Sequence, residues 1–503
     1  MIKKTLLRYR FEILILLFAF FLFFFLRLYH LKLLPIFVDE AIYSRWAQFG
    51  KYNPSLRLMS LEDGKQPLYV WLVSLLMQYV YNPPIAGRLV SVAAGFGTMV
   101  GLFLLSFELF KNRWISIISV LLYVLYPAAL LLNRMAIYES LVGMFCVFIL
   151  YLAILLVKKA NFATSFLLGL LLGAGILTKS SGFITIYMLP TTLILSTLKE
   201  KRTKQLIKWV FFTAVAVGLS LLYYSVLLLS DNYHMISEKD SVFTYRLYEL
   251  IPYHAFQTWT PNILKLLYWT TIYLTYPLAL VVFFSFIGKG QRKEKLLLLF
   301  WFIIPVVGIG LFGRLLTARY IFPLSIFLLP LAAVGFWELY YFLKSKLKYF
   351  FIIIACASFL IFSDYKILAD MPRAPIPKED IEQYSNGFSM GEGLREIVAY
   401  LKEQAIKEQI IIASEGTYGG LPATVIEIYF VNNANVKQHS FDILPKQLPD
   451  YLLEKNQTKP VYIIFNQTQD VGDWPVEPVL RFKRGASDNY LSLYRVKKTA
   501  LPN

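Results

Sequence analysis

The residues able to do chemistry in this chain are an adjacent acidic pair, Asp39-Glu40, a third carboxylate, Glu139, and a scatter of basic residues at the ends of apolar runs. Five of these, Arg88, Arg134, Lys179, Arg314 and Arg319, stand at or beside run boundaries that the alternation of runs and loops puts on the same side as Asp39 and Glu40. Ionisable groups at membrane depth are costly and usually pair or face a polar cavity. Any one of the five can instead snorkel to the interface, but together, opposite an acidic group, they suit a phosphate-bearing lipid. Asp39-Glu40 lies at the start of a helical-looking segment, where a carboxylate also serves as a simple N-cap. Glu139, in the short turn 133–139, could pair with Arg134 or work beside Asp39.

The elements that must position these groups are membrane spans. Of the 503 residues, 57% are hydrophobic and 17% aromatic, far more than a water-soluble core needs. A span needs about 20 apolar residues, and eleven candidates lie between Phe11 and Ser363. The first follows Lys3, Lys4, Arg8 and Arg10 without a small-residue cleavage site, which reads as a retained anchor. The net charge of +18 is concentrated in alternate loops: Lys111 and Arg113, Lys158 and Lys159, residues 199–208, residues 289–295, and Lys344, Lys346 and Lys348. With a cytoplasmic N-terminus this satisfies the positive-inside rule throughout. A nucleic-acid surface would instead gather basic and aromatic residues on one face of a soluble domain, so nucleic acid is excluded as a partner.

Two long segments, 29–88 and 230–265, fall outside, and long loops are where function concentrates. Ala41, Ile42, Trp46 and Phe49 recur at helical spacing, and residues 68–80 are apolar enough to lie along the interface. The expected division is an all-α polytopic membrane domain over 1–364, with about eleven transmembrane helices, and a small soluble α/β domain over 365–503, joined through Pro372, Pro375 and Pro377. Helices over 391–405, 422–431 and 446–455 and strands over 409–414, 436–441, 460–466, 479–483 and 490–496 are predicted there.

Other signals are weak. The glycine-rich turn 415–420 precedes a helix, which can bind an anion, but it fits a tight strand-to-helix connection. N-x-T triplets begin at Asn456 and Asn466. Cys146 and Cys356 lie inside apolar runs and give neither a disulfide framework nor metal spacing. The four histidines, His30, His234, His254 and His439, show no ligand spacing; His254, in the second long loop, is the one candidate for a divalent metal, but reads more readily as an exposed loop residue.

Six segments carry a resemblance: FVDEAIYSRWAQFG from Phe37, GKQPLYVWL from Gly64, GRLVSVAAGFGTMVGLFLL from Gly87, NRMAIYESL from Asn133, LTKSSGF from Leu177 and ARYIFPLSIFLLPLAA from Ala318. Each is short, but their order and their placement relative to the apolar runs resemble the GT-C membrane glycosyltransferases of the protein O-mannosyltransferase and lipid A aminoarabinose transferase superfamily. The resemblance puts the catalytic aspartate of the first outer loop on Asp39, with Glu40 beside it, and a Lys-x-Pro-Leu element on Lys65, Pro67 and Leu68. Gln66 stands where a second proline is common, and Glu139 where many members have Asp, which disfavours the aminoarabinose branch.

The resemblance implies an inverting hexosyl or pentosyl transfer from a polyprenyl-phosphate sugar to a hydroxyl on a lipid, glycan or protein, at the outer face of a plasma membrane. Breaking the sugar's bond to phosphate leaves an anion, which Lys65, Arg319 and Arg314, with Arg88, Arg134 and Lys179 after them, would stabilise. Asp39 would act as general base, and Glu40 or Glu139 would position the acceptor or bind a metal. A transporter or flippase for an isoprenoid or glycolipid is the alternative, but transporters gather charge at the midplane of repeated halves, and no repeat is evident. A membrane-anchored sensor would need only one or two spans.

Overall fold

The computed structural model describes residues 9–196, 202–250, 255–417 and 419–498. Six of its helices are long and apolar enough to cross a membrane: Arg10–Leu28, Pro83–Phe110, Glu139–Lys158, Thr203–Leu229, Arg292–Phe312 and Lys346–Ala369. Three bent pairs raise this to nine if each pair is one span: Arg113–Val124 with Pro127–Asn133, Gln257–Leu274 with Tyr276–Phe284, and Ala318–Ser325 with Leu328–Phe342. The two remaining apolar segments, Phe162–Thr178 and Ser180–Leu195, are shorter helices. The chain is a multi-pass membrane protein.

Two buried arginines lace the start of this bundle. Pro127 lacks an N–H, so the helix ahead of it breaks; Arg27 donates to two carbonyls there, Val124 O at 2.6 Å and Tyr123 O at 3.3 Å, the second shared with Tyr126 N. In return Arg134, at the far end of the bent pair, donates to Leu26 O at 2.6 Å, Arg27 O at 3.1 Å and His30 O at 2.8 Å, closing the end of the first span. Arg134 is thereby fully buried in a structural role, not turned toward a ligand.

The first long loop holds short helices, as its spacing predicted. Strand β1 (Ile36–Phe37) leads into the helix Val38–Tyr52, two 3₁₀ turns follow, and Leu68–Leu76 makes a helix too short to span. Val38–Tyr52 is buried on two sides: Tyr43, Trp46 and Ala47 pack into the membrane-domain core, and Ala41 into the core of the C-terminal domain.

The C-terminal unit carries a five-stranded sheet of β3 (Ile410–Glu415), β4 (Val436–Phe441), β5 (Val461–Phe465), β6 (Val476–Lys483) and β7 (Tyr490–Val496), in the order β4-β3-β5-β7-β6. β4, β3 and β5 run parallel, and β7 and β6 antiparallel. Every residue of β3 and β5 is buried, as expected of strands covered on both faces. The elements predicted between residues 391 and 496 are all present, with ends shifted by a few residues.

How this unit joins the membrane domain was not predicted. Strand β2 (Met390–Gly391) pairs antiparallel with β1, Ile36 opposite Gly391 and Phe37 opposite Met390, and Val38 N donates to Ser389 O at 3.0 Å. Arg45 bonds Glu427 at 3.3 Å, and Gln48 donates to Ile428 O at 3.1 Å. Ahead of the sheet, Glu379 accepts from Trp269 at 3.0 Å and Asp380 bonds Tyr273. The loop that carries Asp39 is thus held between the spans and the C-terminal domain.

Candidate active site

Asp39 and Glu40 are neighbours in sequence with opposite surroundings. Phe37 occupies the N-cap of Val38–Tyr52 and has no side-chain acceptor, so capping falls to Glu40, which accepts from Phe37 N at 3.0 Å. Glu40 also accepts from Ala136 N at 2.6 Å and from Arg88 Nε and Nη2 at 2.8 and 2.9 Å. The remaining Arg88 donors go to Leu31 O, Leu34 O and Pro35 O at 2.7 to 3.2 Å, which uses all five N–H groups. Both side chains are buried. The expectation that Glu40 and Arg88 belong to the charged site is corrected: neither has a free hydrogen-bonding group to offer a substrate. The helix-cap role considered for Asp39 belongs to Glu40.

Asp39, released from capping, reaches across to Arg319, whose Nη1 donates to Oδ2 at 2.8 Å. Arg319 Nε lies 3.5 Å from Glu139 Oε1, and the same oxygen accepts from Lys179 Nζ at 2.8 Å. Four charges therefore form one chain, Asp39, Arg319, Glu139 and Lys179, drawn from four segments. Each sits where its element ends or begins. Arg319 lies in the 3₁₀ turn Ala318–Ile321 that opens a bent span, Lys179 caps Phe162–Thr178, and Glu139 starts Glu139–Lys158.

Lys65 completes the set. It follows Gly64, which takes φ +63° to close the turn Met59–Asp63, and its amine lies 5.2 Å over the Phe243 ring. No carboxylate among the described residues ion-pairs with it. Burial, with the charges of Lys179 and Arg319 added, lowers its pKa to about 8, while Asp39 and Asp63 oppose the fall.

Of these groups Lys65, Lys179, Glu139 and Arg319 line a cavity of about 560 Å³, and Asp39 adjoins it through its bond to Arg319. Four cations, Lys65, Lys179, Lys239 and Arg319, face into it with two carboxylates, Glu139 and Asp240. Lys239 is neutralised by Asp63, and burial raises the pKa of Asp240. The cavity is amphipathic along its length. Cys146 lines it seven residues past Glu139, about 10 Å deeper along a helix, and Trp301, Phe327 and Met188 continue the apolar wall. A charged headgroup with a hydrocarbon tail fits such a shape.

The remaining candidates lie elsewhere. Arg314 is bound by Glu249 and stacks over Tyr245 at 4.7 Å. His254 lies outside the described residues, and no cluster able to hold a metal occurs among those described. The 415–420 turn has its anchor in Glu415, whose carboxylate accepts from Leu444 N, from the N–H groups of residues 466–468 and from Thr468 Oγ1. Asn456 and Asn466 are buried and bond backbone carbonyls. Sequence reasoning missed Tyr43, one helical turn from Asp39, and Asp240 and Phe243 of the second long loop; the i,i+4 spacing pointed to Tyr43.

The chain is thus a bundle of bent spans with an amphipathic cavity under a structured first loop, tied to a small α/β domain. Residues 64–227 match the family model described as dolichyl-phosphate-mannose-protein mannosyltransferase. In fold the chain is similar to ArnT from Cupriavidus metallidurans in the apo state, with a TM-score of 0.60 at 11% identity over 98% of this chain and 99% of that one. For ArnT from Cupriavidus metallidurans bound to undecaprenyl phosphate the TM-score is 0.59 at 12% identity, over 98% and 100%. No curated protein matches by sequence. The chain therefore shares the fold of the ArnT structures along its length, and residues 64–227 carry the pattern of the mannosyltransferase family model.

Proposed function

We propose that the chain transfers a sugar from a polyprenyl-phosphate carrier to a hydroxyl acceptor, with Asp39 as general base, at the outer face of a plasma membrane. The observation that supports this most directly is the cavity that joins Lys65, Lys179 and Arg319 to an apolar wall ending in Trp301 and Phe327. Lys65 has no ion-pair partner among the described residues, so a phosphate can be held there while isoprene units lie along the wall. The ArnT structure bound to undecaprenyl phosphate supports the same class of ligand.

In this reading the phosphate takes over Arg319 and so frees Asp39 to accept the acceptor's proton. The hydroxyl oxygen attacks the anomeric carbon from the face opposite the phosphate, with inversion, and polyprenyl phosphate leaves as an anion stabilised by Lys65 and Arg319. Glu139 keeps Lys179 and Arg319 in place. The basic residues of alternate loops support a cytoplasmic N-terminus and hence an outward site.

The test is incubation of purified protein in detergent with a labelled polyprenyl-phosphate sugar and a panel of hydroxyl acceptors. Release of polyprenyl phosphate by wild type and its loss in Asp39→Asn are expected. An unchanged donor with both proteins sinks the reading, and vesicle uptake without bond cleavage would identify a transporter.

A further inference from the structure

Arg319 is enclosed from behind by the segment that leads into the C-terminal domain. The helix Lys378–Ile381 packs against the turn Ala318–Ile321. Tyr384 sets its ring edge-on to Phe37 at 5.0 Å, and the guanidinium of Arg319 lies 5.6 Å over that same Phe37 ring. Within this layer Asp380 is fully buried. One carboxyl oxygen bonds Tyr273, and the other, Oδ1, has no hydrogen-bond partner.

A buried carboxylate with a single donor is poorly compensated, which favours its neutral form. Around it stand Tyr273, Arg319, Tyr384, its neighbour Glu379 and, further off, Glu139. Burial raises the pKa of Asp380 to about 7, with Tyr273 and Arg319 pulling it down and Glu379 and Glu139 pushing it up. Asp380 therefore changes charge in the neutral range, next to the arginine that faces the cavity.

We propose that Asp380 is a positioning residue that sets, through Arg319, how strongly the cavity holds a phosphate. Arg319 already has Asp39 at 2.8 Å and Glu139 at 3.5 Å. With Asp380 ionised, a third negative charge lowers the positive field that Arg319 presents to the cavity. With Asp380 neutral that field is restored. The C-terminal domain thereby contributes a control element to the site from a segment none of the sequence motifs contains. This rests on the phosphate-ligand reading above.

The experiment is equilibrium binding of undecaprenyl phosphate to the full-length protein in detergent, followed by tryptophan emission because Trp301 lines the cavity. Wild type is compared with Asp380→Asn, which keeps an acceptor for Tyr273 but cannot ionise. Equal affinities are expected near pH 5.5, and about fivefold tighter binding by the variant near pH 8, the size expected of one partly screened charge. Taking the ratio at each pH cancels the titrations of Lys65 and of the phosphate. A ratio of one at both pH values, or weaker binding by the variant at both, overturns the proposal. If Asp380→Asn fails to fold, Tyr273→Phe carries the test: loss of its hydrogen bond moves the fall in wild-type affinity to higher pH, and an unmoved profile overturns the proposal. No binding by wild type at any pH would sink the transferase reading instead, a result distinct from a flat ratio.

Discussion

Asp39 and Arg319, 280 positions apart in the chain, meet at 2.8 Å, and Asp39 is free to do so because Glu40 has taken over the capping of its helix. The pair is one-fifth exposed on the acid side and about one-eighth on the basic side, and of the two Arg319 lines the cavity.

Asp39→Asn should lower kcat of sugar transfer by about 10²- to 10⁴-fold, the usual weight of a general base. Its thermal midpoint should stay near that of wild type, since Asp39 is partly exposed. Arg319→Lys should raise the donor KM, because a single ammonium cannot reproduce the fork that faces both Asp39 and Glu139. Steady-state kinetics with melting curves on the same preparations check both.

Glu40→Ala should destabilise the fold by about 3–5 kcal/mol, because it strands the buried Arg88 charge and removes a partner from Ala136 N. The effect should appear as a lower melting temperature or as loss of folded protein. Substitution of adjacent carboxylates thus separates catalysis from stability, and a Glu40→Ala protein that melts like wild type would contradict the structural role.

Lys65 should give donor binding an alkaline limb. Its pKa is lowered to about 8, so it loses its charge as pH rises through that value, and an anionic phosphate then loses an attraction. Binding should weaken by about tenfold between pH 7 and pH 9, the equivalent of one pKa unit of coupling. Lys65→Arg, charged throughout, should remove the part of the fall above pH 8 and leave the smaller one assigned to Asp380. Donor affinity measured across the range distinguishes this from a structural role for Lys65, which would leave the shape unchanged.

Gly64→Ala should impair donor binding without touching a charge. Gly64 has φ +63°, and a Cβ there would meet Met235 O at 2.4 Å and Lys239 Cβ at 2.5 Å. The left-handed conformation alone costs an alanine about 1–2 kcal/mol. The helix Met235–Phe243 must move away, taking Phe243 from Lys65. A raised donor KM with an unchanged acceptor KM is expected.

The spans, the short helices of the first loop and the strands of the C-terminal sheet were legible because each is set by a local pattern of apolar residues: a long run, a 3.6-residue period or a short buried stretch. Asp39, Lys65, Glu139, Lys179 and Arg319 were legible too, as charges misplaced against that pattern or as motif positions. Their division of labour was not. Nothing in the adjacency of Asp39 and Glu40, or in the row of arginines, shows that Glu40, Arg88 and Arg134 spend their hydrogen bonds on backbone and on one another, since those partners lie up to 108 positions away. The same holds for Asp380. Local sequence sets which groups are costly to bury, but which partner satisfies each one is decided by contacts between distant segments, and only the tertiary structure brings those together.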